Sequence, residues 1–260
     1  MHILGISVFG TNDFKKLDNC LQHSSNKRKI IMNKKIVDLT LPVFTDLPVV
    51  PGTTRRVKIE PDMTFDTPYK RNTSRLFLHS HFCSTHIDAP KHAIQHGHSV
   101  DEYSLADNLI GEAFLLDLRN SEPGSRISVK DLKRALNKIS ENEIKGKMLC
   151  INTGWTDRTW GSEQFFSDMI SLVYPDVGDW LAEMSPKGIL FDCYNDNWEG
   201  FMTDQCFMNY KQILSKSIPL IEFCCNMHEL YGSEWRIYAL PLKLHGCDGS
   251  PARVIAEQIV

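Results

Sequence analysis

The sequence predicts a mixed α/β fold in a single domain. Three observations lead there: short β-branched and aliphatic runs recur along the chain, helix-period segments lie between them, and no linker, repeat or low-complexity stretch divides it. A chain of 260 residues is near the upper end of what one hydrophobic core serves.

Residues 1–31 begin with a short apolar run that lacks a basic leader and end on Lys27-Arg28-Lys29. Met32 is a plausible second start, so 1–31 is expected to be an extension outside the fold and 32–260 the domain proper. The first strand is expected at 36–40. Residues 41–73 carry Pro42, Pro48, Pro51, Pro61 and Pro68, which forbid a long helix and leave extended strands and loops suited to bordering a pocket. Further strands are expected at 113–118, 147–152, 188–192, 218–222 and 237–242. A helix is expected over 128–139, because Val129, Leu132, Leu136 and Ile139 recur at helical spacing. Ser128 offers its N-cap, with Asp131 in capping-box position. A second helix is expected over 176–184, placing Val177, Trp180 and Leu181 on one side.

Composition narrows the function. A net charge of -3 gives no electrostatic footprint for nucleic acid or an anionic membrane. No apolar stretch reaches the roughly 18–20 residues of a membrane span. A small-molecule partner is the remaining expectation. The eight cysteines are scattered without a C-x-x-C pair, several within apolar runs such as Met148-Leu149-Cys150-Ile151. They read as reduced thiols in a cytoplasmic protein.

The chemistry concentrates between Leu78 and His98, where six of the ten histidines fall. Imidazole and carboxylate together are the donors that zinc or manganese takes. In an extended segment, residues two apart share a side, so His86 and Asp88 can face one ion. Pro90 ends regular pairing and can turn His92 toward the same place. His96 and His98 flank Gly97 in a polar turn and read as exposed. His79 and His81 alternate with Ser80 and Phe82 and read as structural. Cys83, beside the cluster, reads as a small buried residue, with soft-ligand chemistry as its alternative.

The order Ser84-Thr85-His86-Ile87-Asp88-Ala89-Pro90-Lys91-His92 closely resembles the H-x-G-T-H-x-D-x-P-x-H signature of the cyclase-like, metal-dependent hydrolases, which include kynurenine formamidases and isatin hydrolases. The likeness extends over about residues 35–256: Pro48-Val49-Val50-Pro51-Gly52 resembles the family's P-x-x-P-G loop, Asn152-Thr153-Gly154-Trp155 its T-G-W turn, Tyr174-Pro175-Asp176 a later turn, and Asp248-Gly249-Ser250-Pro251-Ala252-Arg253 its D-G-S-P-x-R loop.

The resemblance implies a swivelling β/β/α-type domain with a mixed sheet, forming a homo-oligomer. It implies metal ligation by His86, Asp88 and Glu222 and proton transfer by His92. Three positions depart from the family. Phe82 stands where the first signature histidine belongs, Tyr210 replaces a later histidine twelve residues before Glu222, and Val50 replaces an aromatic substrate contact. Three ligands plus water suffice for one catalytic zinc. The expectation is therefore a hydrolase of a small amide, formamide or lactam with one zinc or manganese ion per chain. His92 would move the proton, and Tyr210 would donate to the substrate oxygen. Two alternatives stay open: a metal-free relative that binds or regulates, and a metal-independent cyclase or dehydratase. Asp248 and Arg253 read as loop-stabilising, and Trp155 and Trp160 as core.

Overall fold

Among the described residues, eight strands build one mixed sheet that closes on itself. The computed structural model describes residues 34–51, 53–54, 56–81, 84–173, 175–196 and 207–260. The expected extension, and with it Gly52, Phe82, Cys83 and Tyr174, lies outside the described residues. Strands β5 (Ile110–Asp117), β7 (Met148–Asn152), β9 (Gly188–Phe191) and β10 (Leu220–Glu222) run parallel to one another. Strand β11 (Trp235–Pro241) is antiparallel to β5, and β12 (Gly249–Gln258) is antiparallel to β11. The short strand β4 (His86–Asp88) then pairs antiparallel with both β10 and β12, which closes the ring. Strand β1 (Ile36–Asp38) pairs with the far half of β12. Outside the barrel, β2 (Lys58–Met63) and β3 (Thr73–Phe77) form an antiparallel ribbon within and just beyond the proline-rich segment, and β6 (Arg126–Ile127) pairs with β8 (Ser171–Leu172).

Period-two alternation sends side chains to two cores. Inside the barrel lie Val37, Ile87, Cys150, Leu190, Ile221, Ile237, Val254 and Ala256. Leu116, Leu149, Ile151, Ile189, Phe191 and Leu220 point the other way and meet the helices. Helix α1 (Val129–Leu136) starts at the expected capping box, with the Ser128 hydroxyl accepting from the Asp131 backbone N–H and the Asp131 carboxylate accepting in return. It stops earlier than expected because Asn137 adopts the left-handed conformation at φ 54°, leaving Ile139 53% exposed. Helix α2 (Trp155–Thr159) and α3 (Gln164–Ser167) are single turns. Helix α4 (Asp176–Met184) matches its expected bounds and packs on α5 (Met208–Leu214). Residues Lys34–Val260 make up one unit, the mixed α/β arrangement that the strand and helix patterns predict. Among the described residues, no helix is long and apolar enough to cross a membrane.

Candidate metal centre

Strand alternation builds the site. In β4, Ile87 enters the barrel core, so His86 and Asp88 emerge together on the opposite face. Register across the β4–β10 pair sets Glu222 directly against His86. Strand β4, held on both edges by β10 and β12, keeps its side chains in place, and His86, Asp88 and Glu222 are all buried. The Nε2 of His86 lies 3.4 Å from Asp88 Oδ1 and 3.5 Å from Glu222 Oε2. His86 Nδ1 donates to the Ser84 carbonyl at 2.8 Å. A carbonyl only accepts, so Nδ1 carries the hydrogen and neutral His86 presents its Nε2 lone pair to the two carboxylates. Burial pushes the imidazole down to about 4, which keeps it neutral.

Asp88 is the unusual member. It is 1% exposed, and neither carboxylate oxygen takes part in a hydrogen bond among the described residues. Burial alone would drive such a carboxyl toward its neutral form. The surrounding imidazoles His81, His92 and His86 outweigh that and hold it well below the usual carboxylate range. Glu222 is better furnished: Asn195 Nδ2 donates to its Oε1 at 2.9 Å and the Tyr210 hydroxyl at 2.5 Å. The phenolic hydrogen of Tyr210 is therefore directed at Glu222, and burial raises this phenol well above its ordinary pKa.

His92 follows Pro90 in a single 3-10 turn and lies over the site. Its Nδ1 is 3.3 Å from Asp248 Oδ2, and its ring stacks on His81 with centroids 3.9 Å apart. Here the structure corrects three expectations. His81, expected to be structural, is 5% exposed and faces Asp88. Asp248, expected only to stabilise its loop, accepts from Ser80 Oγ at 2.8 Å and from His81 Nε2 at 2.7 Å besides contacting His92. Alternation placed His81 on the face opposite Phe82, but nothing in the sequence indicated that this face points into the site. Arg253, also expected to stabilise a loop, lies instead within strand β12 and pairs with Asp38 of β1 at 2.7 and 3.1 Å. His79 and His96 are exposed, and His98 packs edge-on against Tyr103. Trp155 is core, its Nε1 donating to the Phe165 carbonyl.

Two groups of three donors result, His86–Asp88–Glu222 and His81–Asp88–His92. In each, one ligand atom per residue lies within 4.8 Å of the others, and Asp88 belongs to both. A fully buried carboxylate without a hydrogen bond, beside a neutral imidazole nitrogen and a second carboxylate, is a donor set that fits a divalent cation. Val50, Tyr194, Phe207 and Phe223 complete the lining. The space among them is small, about 30 Å³, though more than the roughly 10–15 Å³ that a bound water needs. A wider groove along Asp117, Glu122, Arg126 and Arg134 is open and lacks buried converging donors, so size does not locate the chemistry.

Comparison with known proteins identifies the family. The family described as putative cyclase matches residues 37–196. A kynurenine formamidase of Bacillus thuringiensis is 25% identical over 224 residues, covering 86% of this chain and 97% of the relative. An isatin hydrolase A from Labrenzia aggregata superposes with a TM-score of 0.72 at 19% identity, covering 94% of this chain and 98% of that one. A potential metal-dependent hydrolase with cyclase activity gives 0.66 at 24% identity, covering 87% and 99%. The family match spans more than half of the chain, which therefore belongs to the cyclase family.

Proposed function

We propose that this member of the cyclase family is a hydrolase that uses one zinc or manganese ion to cleave an amide, formamide or lactam bond of a small molecule. One observation carries the reading: Asp88, buried and without a hydrogen bond, lies between His86 Nε2 and the remaining donors. His86, Asp88 and Glu222 would hold the ion. When bound, a divalent cation supplies Lewis acidity, polarising a carbonyl and making water a nucleophile near neutral pH. The protein's own groups do the rest. Asp248 faces His92 Nδ1, and donation of that hydrogen leaves Nε2 to accept a proton from water and return it to the leaving nitrogen. Asn195 and Tyr210 orient Glu222 through its Oε1. Tyr210 thus acts through Glu222 in this arrangement, and turning its O–H toward a substrate oxygen would break that bond.

Val50, Tyr194, Phe207 and Phe223 line the space beside the donors, an aromatic and apolar surface that suits an aryl substituent. An aryl formamide heads the screen because a relative covering most of the chain is a kynurenine formamidase.

One observation favours a second reading, a metal-free binding protein. His81 stands between Asp88 at 2.6 Å and Asp248 at 2.7 Å. Burial opposes its charging, yet the two carboxylates raise it to about 10, so the metal-free site carries its own cation. Metal content by mass spectrometry separates the readings, using protein purified without chelator or metal-affinity resin beside the His86→Ala variant. About one equivalent of zinc or manganese in the parent and none in the variant is the expected result. A parent that takes up neither metal when supplied would sink the hydrolase reading.

A further inference from the structure

We propose that His81 is itself a ligand, supplying through Nδ1 a nitrogen donor to the cation that Asp88 holds. The inference rests on the metal-dependent reading above and names a residue outside its three ligands. Three features of the site carry it.

First, two buried atoms confront each other without bonding. His81 Nδ1 and Asp88 Oδ1 are 2.6 Å apart, yet the approach lacks hydrogen-bond direction, and neither atom has another hydrogen-bond partner among the described residues. An imidazole nitrogen and a carboxylate oxygen this close need a positive charge between them: a proton on His81 in the metal-free protein, displaced when a cation on Asp88 takes the Nδ1 lone pair. His86 Nε2 approaches the same oxygen at 3.4 Å. A cation seated on Asp88 Oδ1 is thus within reach of two imidazoles.

Second, the rest of His81 is arranged as ligating histidines are. Its Nε2 hydrogen goes to Asp248 Oδ2 at 2.7 Å, and the same carboxylate is anchored by Ser80 Oγ at 2.8 Å. A carboxylate behind the far nitrogen fixes the tautomer and ring direction and increases the basicity of the nitrogen left free. That nitrogen is the one facing Asp88.

Third, the backbone makes room for the ring. A Cβ on Gly249 would lie 2.6 Å from His81 Cε1 and 3.0 Å from His81 Nε2. Strand β12 can pass the site at this point only without a side chain, so Asp248 and Gly249 together seat the imidazole. Its register opposite Asp88 puts the gap where the ligand is needed. The signature position at Phe82 is thereby bypassed: the nitrogen comes from the residue before it.

The test compares the full-length parent with His81→Gln, Asp248→Asn and His79→Ala, by competition titration with zinc and by the visible spectrum of the cobalt-substituted protein. His81→Gln should bind zinc at least about 100-fold more weakly, with a changed cobalt band. Asp248→Asn should lose roughly 10-fold through a misoriented ring. His79→Ala, exposed and outside the site, should match the parent. Long-range ¹H–¹⁵N spectra of the parent remove the dependence on a folded variant, since zinc should shift the Nδ1 resonance that is missing from His81→Gln. Parent-like affinity and cobalt spectrum in His81→Gln, or an Nδ1 resonance unmoved by zinc, overturns the proposal. If His86→Ala still abolishes binding in that case, the metal-dependent reading stands without His81. A parent that binds neither zinc nor cobalt overturns both.

Discussion

Two carboxylates, Asp88 and Asp192, are equally hidden and differently supplied. Asp192 follows β9, is 2% exposed, and accepts three hydrogen bonds: Thr153 N–H at 2.8 Å, Thr153 Oγ1 at 2.7 Å and Gly154 N–H at 2.6 Å. It ties the Thr153-Gly154-Trp155 turn to the neighbouring strand, where Gly154 at φ 69° takes the left-handed conformation that a glycine accepts without strain. Asp88 is 1% exposed and accepts none. Burial pushes Asp192 up to about 7 in spite of its donors, while three imidazoles hold Asp88 down. Burial of an acid therefore does not distinguish structural from functional use. What occupies the space around its oxygens does: N–H and O–H donors at Asp192, and imidazole nitrogens at Asp88.

The sharpest way to break this contrast is to neutralise Asp88. Asp88→Asn should weaken zinc binding by roughly 1,000-fold or more, since it removes the charge common to both donor groups. Isothermal titration against the parent checks this, and near-parent affinity would mean that Asp88 is merely a buried acid.

Asp192→Ala should do the reverse, costing about 2–4 kcal/mol in urea unfolding by orphaning three buried donors. Zinc affinity of the folded variant should stay within a few-fold of the parent. A large affinity loss there would erase the distinction between the two acids.

The pH response sharpens it further. Burial raises the folded pKa of Asp192 above the ordinary carboxyl value of 3.8, so the native state holds the proton more tightly. Its contribution is complete below about pH 4 and is lost as pH rises through about 7. Metal-free parent protein should therefore lose on the order of 1–3 kcal/mol over that window relative to Asp192→Asn. Parallel curves for the two proteins would show that the three donors cancel the cost of burial.

The smallest effect is expected at Tyr210→Phe, which removes the 2.5 Å bond to Glu222. Zinc affinity should fall about 10-fold, a cost of about 1.4 kcal/mol, with the cobalt spectrum altered and the thermal midpoint little changed. An unchanged spectrum would make Tyr210 a packing residue alone.

Much of this was legible in the chain. The parallel strands were readable because their apolar runs are short and β-branched, and α1 because its cap residues and apolar period agree. Strand β12 was not, because Gly249, Pro251 and Arg253 interrupt its pattern and, besides its neighbour β11, it pairs with β4 and β1, distant in sequence. Helix α5 was missed for a similar reason: seven residues carry too little periodicity, and packing on α4 supplies the stability. At the site, His86 and Asp88 were readable from spacing and order. His81 was not, because alternation gives relative faces but does not say which face lies toward Asp88.

The sequence by itself determined the mixed α/β class, the main strands, the first helix cap and the stretch where donors concentrate, because these follow from local periodicity, turn chemistry and residue order. Tertiary structure alone decided that Glu222 lies against His86, that Asp88 stays without a hydrogen bond, and that Asp248 stands behind His81 and His92. The reason is physical: those relations are set by strand register and ring closure across many residues, and no local pattern encodes which buried oxygen finds a donor.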